Sequence, residues 1–297
     1  MPNQNSTNLR FGTLVGCDEL AARLDDPDWV IVDCRHDLAR PAAGEEAWRA
    51  GHIPGARFAH LDRDLAAPLT GHNGRHPLPA IDVFEKTLRR LGVHARSQVI
   101  AYDDAGGMYA SRLWWMLRWL SHEAVAVLDG GWKSWLAGQH PVSNAIPALS
   151  QGSFTASPQF VSVGAAHVLA RLGDAQTCII DARGEDRYRG ENETMDPVAG
   201  HIPGALNRAF RHNLATDGRF KNALDLRAEW DRFLEGRDPV TVIHQCGSGV
   251  SACHNLLAME VAGLPGSRLF PGSWSEWCAD PQRPVATGPA PGAVPGA

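Results

Sequence analysis

The segment of this sequence best suited to chemistry is a cysteine followed by a glycine-rich loop, CGSGVSA at residues 246–252. The apolar residues before Cys246 predict a strand, and those after the loop predict a helix. Glycines let backbone N–H groups turn towards the sulfur, where, with the helix dipole, they stabilise an anion. Cys246 is therefore predicted to be a nucleophilic thiolate that can hold a persulfide. The surrounding loop residues are Gly247, Ser248, Gly249, Val250 and Ser251.

The alternative for Cys246 is a buried and inert thiol, which is how most cysteines occur. The two glycines and the strand-to-helix context favour an exposed turn instead. Cys253, seven residues later, falls inside the predicted helix and is expected to be a core residue or a redox bystander.

An internal repeat places this loop in the second of two similar halves. The apolar runs ending in Asp-x-Arg at residues 30–35 and 178–183 match, and the hexapeptide GHIPGA occurs at 51–56 and again at 200–205. A further pair of apolar runs ends at Asp103 in the first half and Cys246 in the second. Only the second half can therefore supply a nucleophile. His52 and His201 occur in both halves, so we expect both to be structural.

Short β-branched runs alternate with helical stretches, such as 83–91 and 108–120, which predicts an α/β fold with mainly parallel sheets flanked by helices. We expect a first domain over residues 9–142, a linker over 143–158, a second domain over 159–285 and a disordered tail over 286–297. The linker and the tail are inferred from their Pro-, Gly- and Ser-rich composition.

Composition excludes several classes of protein. At 297 residues, 44% apolar residues, 21% charged residues and a net charge of −5, the chain is typical of a globular protein of two domains without an overall basic surface for nucleic acid. No apolar run is long enough to span a membrane, and residues 1–10 do not resemble a secretory signal. The six cysteines are too sparse for a disulfide scaffold and contain no CxxC pair for zinc. A cytoplasmic protein with reduced thiols is expected.

Taken together, these motifs resemble the tandem-domain rhodanese family of sulfurtransferases. The resemblance runs from about residue 13 to 277 and includes the duplicated GHIPGA, the Cys246 loop and the closing FPGSWSEW at 270–277. It implies a silent first domain, a catalytic second domain and no metal or organic cofactor. Family members that use thiosulfate typically have Arg-Lys-Gly after the cysteine, whereas those that use 3-mercaptopyruvate have Cys-Gly-Ser/Thr-Gly, as here.

The resemblance also implies substrate and relay residues. Arg187 matches an arginine that binds the donor, and a guanidinium suits a carboxylate because it offers two parallel donors. Mercaptopyruvate members have a second arginine before the second GHIPG motif, but residues 191–199 contain none. Their Ser-His-Asp relay is matched by Ser248, His76 and Asp62, with His72 as the alternative histidine. The active site would then lie between the domains. Arg189 is expected to be solvated.

The resulting hypothesis is a double displacement in which Cys246 takes sulfur from 3-mercaptopyruvate and passes it to cyanide or to a thiol such as thioredoxin, with no nucleic-acid or membrane partner. Thiosulfate is the alternative donor, and a non-enzymatic rhodanese-like binding module is a further alternative. A phosphatase, which shares the fold, needs an arginine six residues after the cysteine. Ala252 stands there, which argues against phosphatase activity.

Overall fold

The computed structural model describes residues 10–148, 150–159 and 162–294, which contain two parallel sheets, one in each half of the chain. The first sheet has the order β1-β5-β4-β2-β3 and the second the order β7-β6-β8-β9. The strands of the first half are β1 (Leu14–Val15), β2 (Trp29–Asp33), β3 (Arg57–Phe58), β4 (Gln98–Tyr102) and β5 (Val125–Leu128), followed in the second half by β6 (Cys178–Asp181), β7 (Leu206–Asn207), β8 (Val242–Gln245) and β9 (Arg268–Leu269). The predicted α/β fold with parallel sheets is confirmed.

Helices flank both sheets, as βα units require. In the first half they are α1 (Cys17–Ala21), α2 (Ala43–Ala50), α3 (Leu61–Asp64), α4 (Ile81–Arg90), α5 (Ala110–Trp119) and α6 (Gly131–Ala137). In the second half they are α7 (Ala165–Leu169), α8 (Glu185–Arg189), α9 (Ala223–Leu234), α10 (Ala252–Val261) and α11 (Ser273–Trp277), with 3-10 turns at Phe210–Asn213 and Pro239–Thr241. Among the helices of the described ranges, none is long and apolar enough to cross a membrane.

The central strands set the two loops in equivalent places. Asp33 pairs with Tyr102 in the first sheet, and Asp181 pairs with Gln245 in the second. Each loop residue, Asp103 or Cys246, therefore follows the same position at the carboxyl end of its sheet. This edge is where open α/β sheets bind ligands.

The repeated motifs have a structural explanation. Arg35 binds Asp33 and donates from Nη2 to the carbonyl of Gly51 at 2.6 Å, and its guanidinium lies over Trp132. Arg183 makes the equivalent contacts in the second half, donating to Gly200 at 2.7 Å. The buried arginine thus connects the strand exit, the GHIPGA turn and the tryptophan of the last helix of its domain. Each turn histidine contacts a backbone carbonyl through Nδ1, His52 that of Trp48 and His201 that of Tyr188, so both are structural.

The segments after each domain pack against the domain they follow. Within the predicted linker, Ser143 pairs with His52, and the buried Phe154 donates its backbone N–H to Val93. The predicted tail behaves similarly: Ala286 pairs with His201, and Gly204 donates to Pro291 at 2.7 Å. The expectation of disorder from residue 286 therefore does not describe residues 286–294, because this segment satisfies backbone groups of the second GHIPGA turn. Residues 295–297 lie outside the described residues.

The domains meet through α5 and α10, which pack together within a hydrophobic core shared by both halves. Because each of these helices begins directly after a loop at the carboxyl edge of its sheet, the packing brings the two loops together. The first domain can therefore contribute side chains to the site around Cys246.

Candidate active site

Cys246 follows β8 and begins the loop that leads into α10. Its backbone N–H donates to Ser273 Oγ at 3.0 Å, and its carbonyl accepts from the N–H of Trp274 at 2.9 Å. These bonds hold the loop against the start of α11. The expectation of an exposed turn is wrong, because Cys246 is only 2% exposed. It instead lines an interdomain cavity of about 130 Å³.

The loop provides unused backbone donors beside the sulfur. None of the N–H groups of residues 247–251 donates a hydrogen bond to another group within the described ranges. Gly249 allows this conformation: its φ is +75°, and a Cβ there would lie 2.2 Å from the carbonyl oxygen of Pro271. Gly247, Ser248, Val250 and Ser251 line the cavity, and Ser251 is the residue before α10.

The first domain shows what this loop shape binds. The carboxylate of Asp103 is completely buried and accepts four backbone hydrogen bonds of 2.7–2.9 Å, from Ala105, Gly107, Tyr109 and Ala110. The silent loop is therefore an anion cradle closed by its own side chain. In the second domain the corresponding donors remain available for an anion on Cys246.

Ser248, His76 and Asp62 form a continuous hydrogen-bonded relay across the domain interface. His76 Nδ1 lies 2.7 Å from Ser248 Oγ, and Nε2 lies 3.2 Å from Asp62 Oδ1. A carboxylate only accepts, so Nε2 carries the proton and Nδ1 accepts from the serine hydroxyl. His72 is exposed and is not part of this relay.

The relay favours a neutral histidine at pH 7 that can be protonated transiently. Burial lowers the pKa of His76, and the hydrogen bond from its ring to Asp62 partly offsets this. The same hydrogen bond lowers the pKa of Asp62, which keeps the carboxylate ionised. These are the properties expected of a histidine that accepts and returns a proton.

Arg187 lies at the cavity, but its guanidinium is not free as the sequence suggests. Nε and Nη2 bind Glu193 at 3.1 and 2.8 Å, and Nη2 also lies 3.1 Å from Asp196. Only Nη1 remains without a partner among the described residues, and it approaches Gly247, where a Cβ on that glycine would be 3.3 Å away. The expected pair of parallel donors is thus already used by acidic residues from the stretch that lacks the second arginine.

Sequence reasoning missed two further arginines, both from the first domain. Arg75 donates from Nη1 to Asp196, and its Nη2 would lie 2.9 Å from a Cβ on Gly247, so it lies on the same side of Gly247 as Arg187. The feature of the sequence that could have identified Arg75 is its position next to His76. Arg112 is fully buried in α5, and nothing in its apolar surroundings in the sequence marks it.

Arg112 connects the relay to the cysteine loop. Its guanidinium donates to the carbonyl of Gly249 at 2.9 Å, that of His76 at 2.9 Å and that of Leu65 at 3.2 Å. It contacts backbone rather than reacting groups, so we regard it as a positioning residue.

Two other groups near the site are less suited to chemistry. Cys253 is fully buried within α10, and burial raises its pKa to about 12, so it stays a thiol at neutral pH. His36, His60 and Asp62 have ligand atoms within 4.8 Å of one another. However, His60 Nδ1 already accepts from the N–H of Asp62 at 3.1 Å, and the carboxylate of Asp62 binds His76. We therefore assign this cluster to the relay rather than to a metal.

Comparison with family models matches the rhodanese-like domain twice, at residues 17–138 and 165–280. Among individual proteins, the chain is 46% identical to a protein of Pseudomonas aeruginosa named a probable 3-mercaptopyruvate sulfurtransferase, over 93% of this chain and 98% of that protein. It is also 34% identical to the thiosulfate sulfurtransferase of Rattus norvegicus, over 88% of this chain and 90% of that protein.

Among solved structures, the fold matches the crystal structure of a 3-mercaptopyruvate sulfurtransferase from Escherichia coli. The TM-score is 0.74 and the identity 33%, over 88% of this chain and 98% of that chain. Since the relatives include proteins named for both donors, the geometry of the site has to distinguish between them.

Proposed function

This chain belongs to the rhodanese family, with two rhodanese-like domains in tandem, and we propose that it is a sulfurtransferase that carries sulfur from 3-mercaptopyruvate as a persulfide on Cys246. The observation that carries the proposal is the contrast between the two loops. Asp103 fills its cradle of backbone donors, whereas the Cys246 loop keeps its donors available beside a sulfur atom. Such donors stabilise both the attacking thiolate and the anion of the persulfide.

The transfer forms one bond and breaks one. The Cys246 thiolate attacks the sulfur of mercaptopyruvate, a S–S bond forms, and the C–S bond of the donor breaks with its electrons passing to the carbon, as pyruvate enolate. The enzyme is left with Cys246 bonded to a second sulfur. No external oxidant or reductant is needed.

The relay supports the proton transfers of this step. His76 accepts, through Ser248, the proton released from the donor thiol, and Asp62 stabilises the resulting imidazolium. The same proton returns through Ser248 to the enolate carbon, which releases pyruvate. Ser248 lines the cavity beside Cys246, which supports a contact between its hydroxyl group and the donor.

The donor carboxylate has two candidate anchors. Arg187 Nη1 and Arg75 Nη2 both approach Gly247, one from each domain. Together they offer the two N–H groups that a carboxylate accepts, in place of the parallel pair expected from Arg187 alone. Apolar walls complete the cavity, provided by Leu38, Met108, Tyr109, Met195, Phe210 and Val250.

In the second half-reaction the outer sulfur passes to an acceptor nucleophile, and the thiolate of Cys246 is regenerated. Cyanide gives thiocyanate, and a thiol such as that of reduced thioredoxin gives a persulfide. We also propose a reducing, cytoplasmic setting, which suits a chain whose six cysteines are all unpaired. The second candidate donor is thiosulfate, favoured by the identity to the rat enzyme. A binding module without catalysis is the less favoured interpretation, because Cys246 is retained.

The test is Cys246→Ser, with Cys253→Ser, in the helix that follows the loop, as the matched control. We expect C246S to lose pyruvate release from mercaptopyruvate and to carry no cyanolysable sulfur, while C253S retains both. Measuring kcat/KM with mercaptopyruvate and thiosulfate side by side identifies the donor. Full turnover by C246S with either donor would exclude the mechanism, and a strong preference for thiosulfate would exclude the donor.

A further inference from the structure

Asp196 is a buried carboxylate held between arginines of two domains. Its side chain is only 2% exposed, Oδ1 binds Arg75 Nη1, and Oδ2 lies 3.1 Å from Arg187 Nη2. Asp196 belongs to the stretch in which the sequence lacks the second arginine expected of mercaptopyruvate enzymes. This stretch therefore contributes a negative charge next to the cavity arginines, where the resemblance implies a positive one.

The two arginines held by Asp196 are the ones that approach Gly247 of the cysteine loop. Because Asp196 takes one amino group of each, the remaining groups, Arg75 Nη2 and Arg187 Nη1, are the ones that approach Gly247. Asp196 does not itself line the cavity, so it acts through the arginines. It holds Nη1 of Arg75 and shares Nη2 of Arg187 with Glu193, so the other amino group of each arginine is the one presented to a donor.

Asp196 also neutralises part of the positive charge of the arginines that line the cavity. The cations at the cavity are Arg75, Arg183 and Arg187. Their ion-pair partners are Asp181, which binds Arg183, Glu193, which binds Arg187, and Asp196. The three positive side chains that line the cavity are thus matched by three negative ones. Arg112, which contacts the loop at the Gly249 carbonyl, has no acidic partner among the described residues and adds one positive charge near Cys246.

The two candidate donors distribute charge differently. The carboxylate of mercaptopyruvate is separated from the reacting sulfur by two carbon atoms. Thiosulfate is a dianion, and its two charges are spread over the outer sulfur that is attacked and the sulfonate group bonded to that sulfur. A nearby negative charge raises the energy of a dianion about twice as much as that of a monoanion at the same distance.

We propose that Asp196 is a specificity-determining positioning residue, which orients Arg75 and Arg187 towards one carboxylate and disfavours donors with two charges beside the sulfur. This inference rests on the proposed function, and it assigns donor choice to the interdomain contact of Asp196 rather than to the cysteine loop alone.

The experiment compares Asp196→Asn with Glu191→Gln. Glu191 lies in the same stretch and pairs with the outward-facing Arg189, and its side chain is 58% exposed, so E191Q removes the same charge away from the cavity. We expect D196N to raise the ratio of kcat/KM for thiosulfate to that for mercaptopyruvate by about tenfold. The change should be mainly in KM, and E191Q should leave the ratio unchanged.

Anion binding provides a readout that does not need turnover. Sulfate and acetate are titrated calorimetrically into C246S and C246S/D196N, and we expect D196N to strengthen sulfate binding more than acetate binding. Asp196→Ser keeps a hydrogen-bonding oxygen without the charge, and it should also strengthen sulfate binding more than acetate binding. Equal effects of D196N on sulfate and acetate binding would overturn the proposal. So would a lowered Tm in D196N and D196S together with a loss of activity towards both mercaptopyruvate and thiosulfate. The proposed function fails separately, if wild-type protein forms no persulfide on Cys246.

Discussion

The guanidinium of Arg112 in the first domain lies 2.9 Å from the carbonyl oxygen of Gly249 in the cysteine loop of the second. The reverse contact also exists, since His254 Nε2 in α10 lies 3.0 Å from the carbonyl oxygen of Gly106 in the loop of the first domain. Each central helix thus binds the loop glycine of the other domain. The shape of the Cys246 loop therefore depends on the first domain, which lacks the cysteine but forms part of the candidate site.

Replacing Arg112 should damage both stability and catalysis. Arg112→Ala leaves three buried carbonyls without their charged donor, and we expect it to lower the free energy of unfolding by about 3–5 kcal/mol. Arg112→Lys, which keeps the charge but not the fork of donors, should lose less. Urea unfolding and kcat/KM measure the two effects. A fully active and stable R112A would show that the contact does not position the loop.

The relay should matter more for one donor than for the other. Transfer from mercaptopyruvate ends in protonation of carbon, whereas thiosulfate leaves as sulfite and needs no such proton. We expect His76→Ala to lower kcat for mercaptopyruvate by about 100-fold and to affect thiosulfate much less. His72→Ala, at the exposed neighbouring histidine, is the control. Equal losses for both donors would argue for a structural role of His76.

The pH profile should report the coupling between His76 and Asp62. Burial lowers the pKa of His76 and Asp62 raises it, so the neutral base is lost only below the ordinary histidine range near pH 6.5. Asp62→Asn removes the raising contribution. We expect the acid limb of kcat/KM for mercaptopyruvate to move to lower pH in D62N, together with a lower plateau. A limb that moves to higher pH would contradict this assignment.

Buried histidines should make the fold sensitive to acid. Burial lowers the pKa of His244 to about 3 and that of His254 to about 4. The unfolded chain therefore binds protons first as the pH falls, and the free energy of unfolding should decrease from about pH 6.5 to about pH 4, by up to about 1.4 kcal/mol per pH unit for each histidine. Urea titrations of wild type, His254→Gln and His72→Gln test this. The slope should decrease in H254Q only.

Asp103 should be needed for the fold but not for sulfur transfer as such. Asp103→Asn places an amide group against backbone N–H donors that now bind a carboxylate. We expect D103N to lower the free energy of unfolding by roughly 2–4 kcal/mol, because buried donors lose their acceptor. Folded D103N should still form the Cys246 persulfide, detected by cyanolysis. Loss of the persulfide in folded protein would give the first loop a catalytic role.

The sequence by itself determined the repeat and the α/β class, and it predicts Cys246 as the nucleophile. These follow from local patterns: β-branched runs ending in Asp-x-Arg, the duplicated GHIPGA, and a cysteine in a glycine loop between a strand and a helix. The choice of His76 over His72, and its link to Ser248 and Asp62, agrees with the geometry. Backbone conformation and periodicity depend on neighbours along the chain, so they can be inferred from one sequence.

Only the tertiary structure decided what surrounds the sulfur. Cys246 is buried rather than exposed, Arg187 is held by Glu193 and Asp196, and Arg75 and Arg112 reach the loop from the other domain. The contacts of Arg75 and Arg112 join residues more than a hundred positions apart. The availability of Arg187 depends on which of its guanidinium nitrogen atoms already bind acidic side chains. The contacts of Arg75 and Arg112 depend on how the two domains pack through α5 and α10, and no local pattern encodes that arrangement.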